Sequence, residues 1–291
     1  MVVATGFFDG VHLGHRHLIS TLTREARERG DQSVVLTFWP HPRNVLQDDA
    51  RNLRLLTSLD EKKALLKGLG VDRVEVLPFT KDFSKLTTRE YLRDCLKGRL
   101  GCSAIVIGYD NRMGSDPATP DEIQAIAESE GIAAIRCDKM EIPGGIAVSS
   151  TKIRSALSVG EVEVAANMLG YRYSMTGVVV SGNQLGRTIG FPTANMRLYE
   201  PLKLIPGNGV YKVRVDTLGS SYVGMCNIGL RPTVGQGGGL TVETNIFDFA
   251  EDIYGLDIKL TFERKIRDER RFASLDDLKA QLEADRETCY R

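Results

Sequence analysis

The sequence has no stretch of about 20 apolar residues, which excludes a predicted transmembrane helix. Its first residues, Met1-Val2-Val3-Ala4-Thr5-Gly6, carry no basic region and no long apolar run. That is not a signal-peptide pattern, and it reads as a strand that starts at once. Neither sign of charge is in excess, with 38 Lys+Arg against 38 Asp+Glu. This argues against bulk nucleic acid or an anionic membrane as the main partner and leaves small anionic ligands open. Five cysteines, Cys95, Cys102, Cys137, Cys226 and Cys289, form no C-x-x-C pair. They read as free thiols of a reducing, cytoplasmic compartment. All four histidines lie between His12 and His41 with no cysteine near them, so no zinc site is expected. No Gly-Lys dipeptide occurs, which excludes a Walker A loop.

What is present is an ordinary globular composition, 42% hydrophobic and 26% charged over 291 residues, long enough for two domains. The first half alternates strand and helix. Strands are expected at Val2–Thr5, Ser33–Phe38, Arg73–Leu77, Ala104–Gly108 and Ile132–Arg136. Helices are expected from about Gly14 to Arg29 (closed by Gly30), from a capping box at Ser58 to Gly68, over Thr88–Leu100 and over Asp121–Glu130. Such alternation predicts βαβ units and a Rossmann-like parallel sheet, with ligands beyond the carboxyl ends of its strands. Two short helices, Thr151–Leu157 and Glu161–Leu169, follow. After about Tyr171 the pattern turns strand-rich. Tyr211, Val213 and Val215 alternate with polar residues, as do Ile258, Leu260 and Phe262. This half reads as a small antiparallel β-barrel. A last helix from Ser274 is expected to use Leu275, Leu278 and Leu282. Domains of residues 1–170 and 171–291 are expected, with Gly235–Gly239 as a flexible loop.

Gly6-Phe7-Phe8-Asp9-Gly10-Val11-His12-Leu13-Gly14-His15 joins the first strand to the first helix. Glycines allow a tight turn close to a ligand. A helix start presents unpaired N–H groups and partial positive charge to an anion. His12 and His15, three apart, can share a face and donate to phosphate oxygens. The plain alternative is that they cap or pack. A second stretch, Val148-Ser149-Ser150-Thr151-Lys152-Ile153-Arg154, sets hydroxyls before a helix whose first turn is basic. Positive charge there opposes the macrodipole, so helix stability does not explain it; a solvated helix with incidental charge is the alternative.

The first stretch resembles the nucleotidyltransferase H-x-G-H motif, and the second resembles that family's I-S-S-T-x-I-R signature. The resemblance implies attack on the α-phosphate of ATP with release of pyrophosphate. It implies phosphate or ATP contacts at Gly6, Phe7, Asp9, Gly10, His12, Gly14, His15, Asp110, Ser149, Ser150, Thr151 and Arg154, with His12 and His15 catalytic. Phe38-Trp39-Pro40-His41-Pro42-Arg43 also matches, with His41 catalytic or merely structural. Around Asp110 the usual aromatic positions hold Asn111 and Met113.

Gly182-Asn183-Gln184-Leu185-Gly186-Arg187-Thr188-Ile189-Gly190-Phe191-Pro192-Thr193-Ala194-Asn195 lies in the barrel half. It is either a Gly/Pro-rich turn or a phosphate loop, since Thr193 and Asn195 offer oxygens suited to Mg²⁺. It resembles riboflavin kinase, as do Asn227–Thr233 and Val242-Glu243-Thr244-Asn245. Over nearly the whole chain the sequence is similar to the prokaryotic bifunctional riboflavin kinase/FMN adenylyltransferase (FAD synthetase) family. The resemblance implies ATP, riboflavin and FMN as small-molecule partners, with no nucleic acid and no membrane. It implies ATP contacts at Gly186, Arg187, Gly190, Pro192, Thr193 and Asn195, with Mg²⁺ on the last two. Glu243 matches the family's base; alone it reads as a solvent-facing carboxylate. Arg187 and Arg231 are phosphate ligands or surface ion-pair partners. The roles of Asp248 and Tyr254 stay open. Two other readings stand beside this one: a kinase whose first domain is weak or specialised, and a non-catalytic flavin-binding regulator.

Overall fold

Short β-branched runs alternate with amphipathic helices from Val2 onward, and this local pattern builds the first layer of the fold. The computed structural model describes residues 1–46, 53–109, 111–116, 118–142, 146–182, 185–230 and 239–291. It divides into two units, Met1–Ser150 and Thr151–Arg291.

In the first unit, β1 (Val2–Thr5) leads to α1 (Leu13–Arg29) and β2 (Ser33–Trp39). Gly30 closes α1 in the left-handed conformation, its N–H bonding back to the last turn. A short α2 (Pro42–Leu46) precedes α3 (Leu59–Gly68), which opens on a capping box between Ser58 and Glu61. β3 (Arg73–Pro78) and a 3₁₀ turn at Phe83–Lys85 lead to α4. That helix starts on a Thr87/Glu90 capping box with one α-helical stretch, Thr88–Glu90. It then continues as a π-helix over Tyr91–Arg99, where an ordinary helix was expected. The wider turn still buries Tyr91, Leu92 and Leu96. Then come β4 (Ala104–Ile107), α5 (Pro120–Ser129), β5 (Ala133–Arg136) and a small hairpin of β6 (Glu141–Ile142) and β7 (Ile146–Ala147).

Five parallel strands form one sheet in the order β3-β2-β1-β4-β5. Alternate residues of each strand serve opposite faces. Val3, Leu36 and Ile105 pack with Leu92, Leu96 and Ile123 of α4 and α5. Val2, Ala4 and Val35 pack with Ile19, Leu22 and Leu66 of α1 and α3. This is the expected Rossmann-like layer arrangement, covered on both sides.

The second unit carries α6 (Ser150–Ser158, whose first residue still belongs to the first unit), α7 (Val162–Leu169), β8 (Ser174–Val180), α8 (Leu185–Thr188), β9 (Ala194–Leu198), β10 (Gly209–Thr217), β11 (Ser220–Leu230), β12 (Leu240–Ile246), β13 (Asp257–Arg267) and α9 (Leu275–Tyr290). Six strands close an antiparallel barrel in the order β10-β11-β12-β9-β8-β13. Closure leaves the sheet no free edge. Its interior holds Tyr211, Val213, Val215, Leu260 and Phe262, all buried. The C-terminal helix is present, but its contacts differ from expectation. Leu282 packs as expected, but Leu275 is 55% exposed, and Cys289 and the buried Asp285 complete the seat of α9. Asp285 is gripped by Arg267 of β13 through Nε (2.9 Å) and Nη2 (2.8 Å).

Candidate active sites

In the first unit the sheet order reverses beside β1, which pairs with β2 on one side and β4 on the other. At such a switch point the loop after the central strand faces open space. The Gly6–His12 loop leaves β1 there. Phe8 (φ 51°), Gly10 (φ 80°) and Val11 (φ 37°) are all left-handed. Two of these carry Cβ atoms, a strained state that must be held by its surroundings.

Asp9 supplies that hold. It is 3% exposed, and its carboxylate accepts from the Leu56 N–H (3.0 Å), the Thr57 N–H (3.0 Å) and the Thr57 hydroxyl (3.1 Å). Thr57 Oγ1 in turn accepts from the Gly10 N–H at 3.1 Å. Ser150 Oγ donates to the Asp9 carbonyl at 3.0 Å, so Ser150 is tied to the first motif. Ser149 is half-buried beside it; Thr151 (exposed) and Arg154 (half-buried) lie on α6 within the second unit.

His12 is the N-cap of α1, and its Nδ1 accepts from the His15 N–H at 3.4 Å. Gly14 leaves room for it, since a Cβ there would lie 3.3 Å from the His12 ring. The His12 and His15 rings stack at 3.6 Å, and Phe8 meets His15 edge-on at 5.2 Å. Burial, then the charges of His12 and Lys62, lower the His15 pKa well below its ordinary value. At neutral pH it is an uncharged imidazole with one N–H to donate. His41 packs its ring 3.8 Å from Phe7, and its Nδ1 accepts from the Arg43 N–H.

Beside the loop lies a cavity of about 590 Å³ lined by Gly6, Phe7 and an aromatic wall of Phe38, Phe79, Phe83 and Tyr91. Asn111 and Met113 also line it, Met113 being otherwise buried in the core. The aromatic surface thus comes from β2, the segment after β3 and α4. Asp110 lies outside the described residues, as do Arg231 and residues 235–238.

The sequence reading missed Thr57 and Lys62. Lys62 sits in the opening turns of α3, fully buried, with its ammonium 3.7 Å from the Phe7 ring centroid. The available signal was a basic residue directly after a capping box, where it opposes the macrodipole.

In the barrel, α8 carries Gly186 and Arg187, and the chain turns through Gly190 (φ 85°) toward β9. The Phe191 N–H bonds to the Gly186 carbonyl at 2.8 Å, and a Cβ on Gly186 would lie 2.2 Å from the Phe191 carbonyl oxygen. Only glycine fits that approach. The Pro192 carbonyl accepts from Asn245 Nδ2 at 2.7 Å. Thr193, Pro192 and Arg187 line a cavity of about 480 Å³ closed opposite by Phe249–Tyr254. On the outer face of the barrel, Glu243 stands in register with Asn195 on one neighbouring strand and with Asn227 on the other. Cross-strand partners share a face, so the three polar side chains form one row. Gly182 leaves space for Asn195, whose amide nitrogen would lie 2.3 Å from an added Cβ. Tyr254 lines the cavity, and Asp248 is held by Arg286 (3.0 Å) and Tyr290 (2.7 Å) of α9. Both cavities are of ordinary ligand size.

A parallel sheet with a strained, histidine-capped loop at its switch point, followed by a closed barrel with a second glycine-bearing loop, defines a two-part chain whose class the relatives establish as a transferase. The FAD synthetase family model matches residues 1–152 and the riboflavin kinase model residues 169–291. The Bifunctional riboflavin kinase/FMN adenylyltransferase of Bacillus subtilis (strain 168) is 35% identical, covering 100% of this chain and 92% of that protein. The Escherichia coli (strain K12) protein of the same name is 39% identical, over 98% and 90%. A solved structure described as a macrolide-efflux protein from Streptococcus pneumoniae superposes with a TM-score of 0.92 at 35% identity, covering 100% and 93%. Among the described residues no helix is long and apolar enough to cross a membrane. The chain belongs to the bifunctional riboflavin kinase/FMN adenylyltransferase family and is an enzyme.

Proposed function

We propose that each activity of this flavin-synthesising enzyme is carried by one of the two sites, with domains of residues 1–170 and 171–291. Riboflavin kinase activity converts riboflavin and ATP to FMN, and adenylyl transfer then converts FMN and ATP to FAD and pyrophosphate. The observation that carries the first assignment is the strained Gly6–His15 loop at the sheet's switch point, fixed by Asp9 and headed by two stacked imidazoles.

In adenylyl transfer an FMN phosphate oxygen attacks the α-phosphorus of ATP, and the bond to pyrophosphate breaks. The nucleophile is already ionised, so the site supplies positioning and charge stabilisation rather than a strong base. His12 and the neutral His15 donate N–H groups to the phosphates, and the head of α1 adds its backbone donors. Gly6, Phe7, Gly10 and Gly14 shape the approach. Ser149 and Ser150 grip the triphosphate, and Asp110 contacts a nucleotide. Asp9 contributes through the loop it fixes. The aromatic cavity accepts the flavin ring. Because Phe38, Phe79 and Phe83 supply stacking surface, Asn111 and Met113 give no support to a kinase with a specialised first domain.

In the kinase step the ribityl 5′-hydroxyl attacks the γ-phosphorus of ATP, the bond from that phosphorus to the β-phosphate oxygen breaks to release ADP, and the hydroxyl proton passes to Glu243. Gly186, Arg187, Gly190 and Pro192 border the phosphates. The neutral oxygens of Thr193 and of Asn195, which is in register with Glu243, suit a Mg²⁺ ion that would keep several waters. When bound, Mg²⁺ neutralises charge on the transferred phosphoryl group. Five unpaired cysteines support a cytoplasmic setting. Incubating the protein with riboflavin, ATP and Mg²⁺ and separating the flavins tests the whole reading. FMN and FAD should appear in turn, and accumulation of FMN alone would remove the second activity.

A further inference from the structure

Lys62 belongs to none of the motifs that point to the reaction, yet it is one of the largest fully buried side chains in the protein. Its surroundings are wrong for a structural lysine. Buried ammonium groups are normally paired with a carboxylate. Among the described residues Lys62 makes no ion pair; it meets the Phe7 ring at 3.7 Å and Thr37 Oγ1 at 3.5 Å, and the Asp9 carboxylate acts on it only through its field. Its place near the start of α3 is unfavourable against the helix dipole. Both contacts lead to the same loop, because Thr37 Oγ1 donates to the Phe7 carbonyl at 3.2 Å. Phe7 then lines the cavity. Lys62 also acts on His15, whose imidazole it helps to keep neutral.

Replacing this side chain by an apolar one of equal length would spare the fold a desolvated charge. The retained charge therefore has a use outside stability. We propose that Lys62 is a positioning residue for adenylyl transfer: it fixes Phe7 through the cation–π contact and holds a buried positive charge, only partly offset by Asp9, that the ATP phosphates balance on binding. This rests on the reading of the loop as the ATP site. Burial drives the Lys62 pKa down from 10.5 to about 8, with Asp9 opposing the shift, so the ammonium form is held only weakly until an anion arrives.

The test uses the full chain with FMN and ATP as substrates, comparing wild type with Lys62→Met, Lys62→Arg and His15→Ala. Lys62→Met should melt at or above the wild-type temperature and phosphorylate riboflavin normally. Its KM for ATP in FAD formation should rise roughly tenfold, with a smaller change in kcat. Lys62→Arg should recover part of that KM. An unchanged ATP KM in Lys62→Met, with His15→Ala inactive, would overturn the role of Lys62 and leave the site intact. A lowered melting temperature with loss confined to kcat would mark packing alone and overturn it too. An unaffected His15→Ala would overturn the site itself and the proposal with it. If Lys62→Met does not fold, the wild type serves. The charged and titratable groups coupled to Lys62 are Asp9 on the loop and His15 on α1, the latter already neutral. ATP KM should climb between pH 7 and 9 as Lys62 loses its proton, and a flat profile would refute the proposal.

Discussion

The imidazole rings of His12 and His15 lie face to face, 3.6 Å apart and 15° from parallel. Two positive charges at that spacing repel strongly, and burial adds to the cost of charging His15. His15 therefore works as a neutral donor beside His12. His15→Ala should cut FMN-to-FAD conversion by about 10²-fold while riboflavin phosphorylation continues. The pH behaviour follows in sign. The folded pKa of His15 lies well below 6.5, so between that value and 6.5 the unfolded chain binds more protons. Stability is full above pH 6.5 and falls as the pH drops below it. Melting temperatures of wild type and His15→Gln, taken from pH 8 to pH 5, should diverge only on the acid side.

Asp9 shows how the strained loop is kept. Its carboxylate oxygens receive two backbone N–H groups and one hydroxyl from Leu56 and Thr57. Hydrogen bonds to a charged acceptor are each worth about 1.5–3 kcal/mol, and removing the acceptor leaves buried donors unpaired. Asp9→Ala should lower stability by about 3 kcal/mol. Phe8 and Val11 would then be free to leave their left-handed conformations. FAD formation should fall steeply with FMN formation preserved, read from urea unfolding and the two flavin assays.

Much of this was readable from local signals and the rest was not, for a reason visible at single residues. Gly30, Ser58 and Ser274 mark helix ends because capping is a matter of three or four consecutive residues. The motif glycines and histidines were legible for the same reason. Asp9 was legible as a motif member, but its partners Leu56 and Thr57 lie 47 and 48 residues away. Lys62 was invisible because its burial under Phe7 is a tertiary fact. Glu243 reads as an ordinary strand carboxylate until the register sets it opposite Asn195 and Asn227. On α9 the leucine spacing pointed to Leu275, whereas the barrel offered Arg267 as a partner for Asp285.

That ion pair gives a stability prediction separate from catalysis. Asp285 is 2% exposed and bidentate to Arg267, with Gln281 also donating to it at 2.6 Å. Removing one member of a buried pair strands the other charge, at roughly 3–5 kcal/mol. Asp285→Ala should therefore destabilise the barrel unit and release α9. Arg267→Met with Asp285→Leu should be far milder, since no charge remains unpaired. Denaturant unfolding with separate probes for the two units would show the loss in one transition only.

Glu243 offers the sharpest division between the two chemistries. A primary hydroxyl attacks poorly unless its proton is accepted, whereas the phosphate nucleophile of the second reaction needs no such help. Glu243→Gln keeps the size of the side chain and its place in the row with Asn195 and Asn227, so the barrel should fold unchanged. FMN formation should drop by roughly 10²–10⁴-fold, mostly in kcat, because the lost interaction belongs to the transition state. FAD formation from supplied FMN should stay within experimental error of wild type. Thr193→Ala and Asn195→Ala should also slow the kinase, but raising Mg²⁺ should recover part of their activity, which no Mg²⁺ concentration should do for Glu243→Gln. Equal loss of both flavin products in Glu243→Gln would contradict two separate sites and with them the division of labour between sheet and barrel.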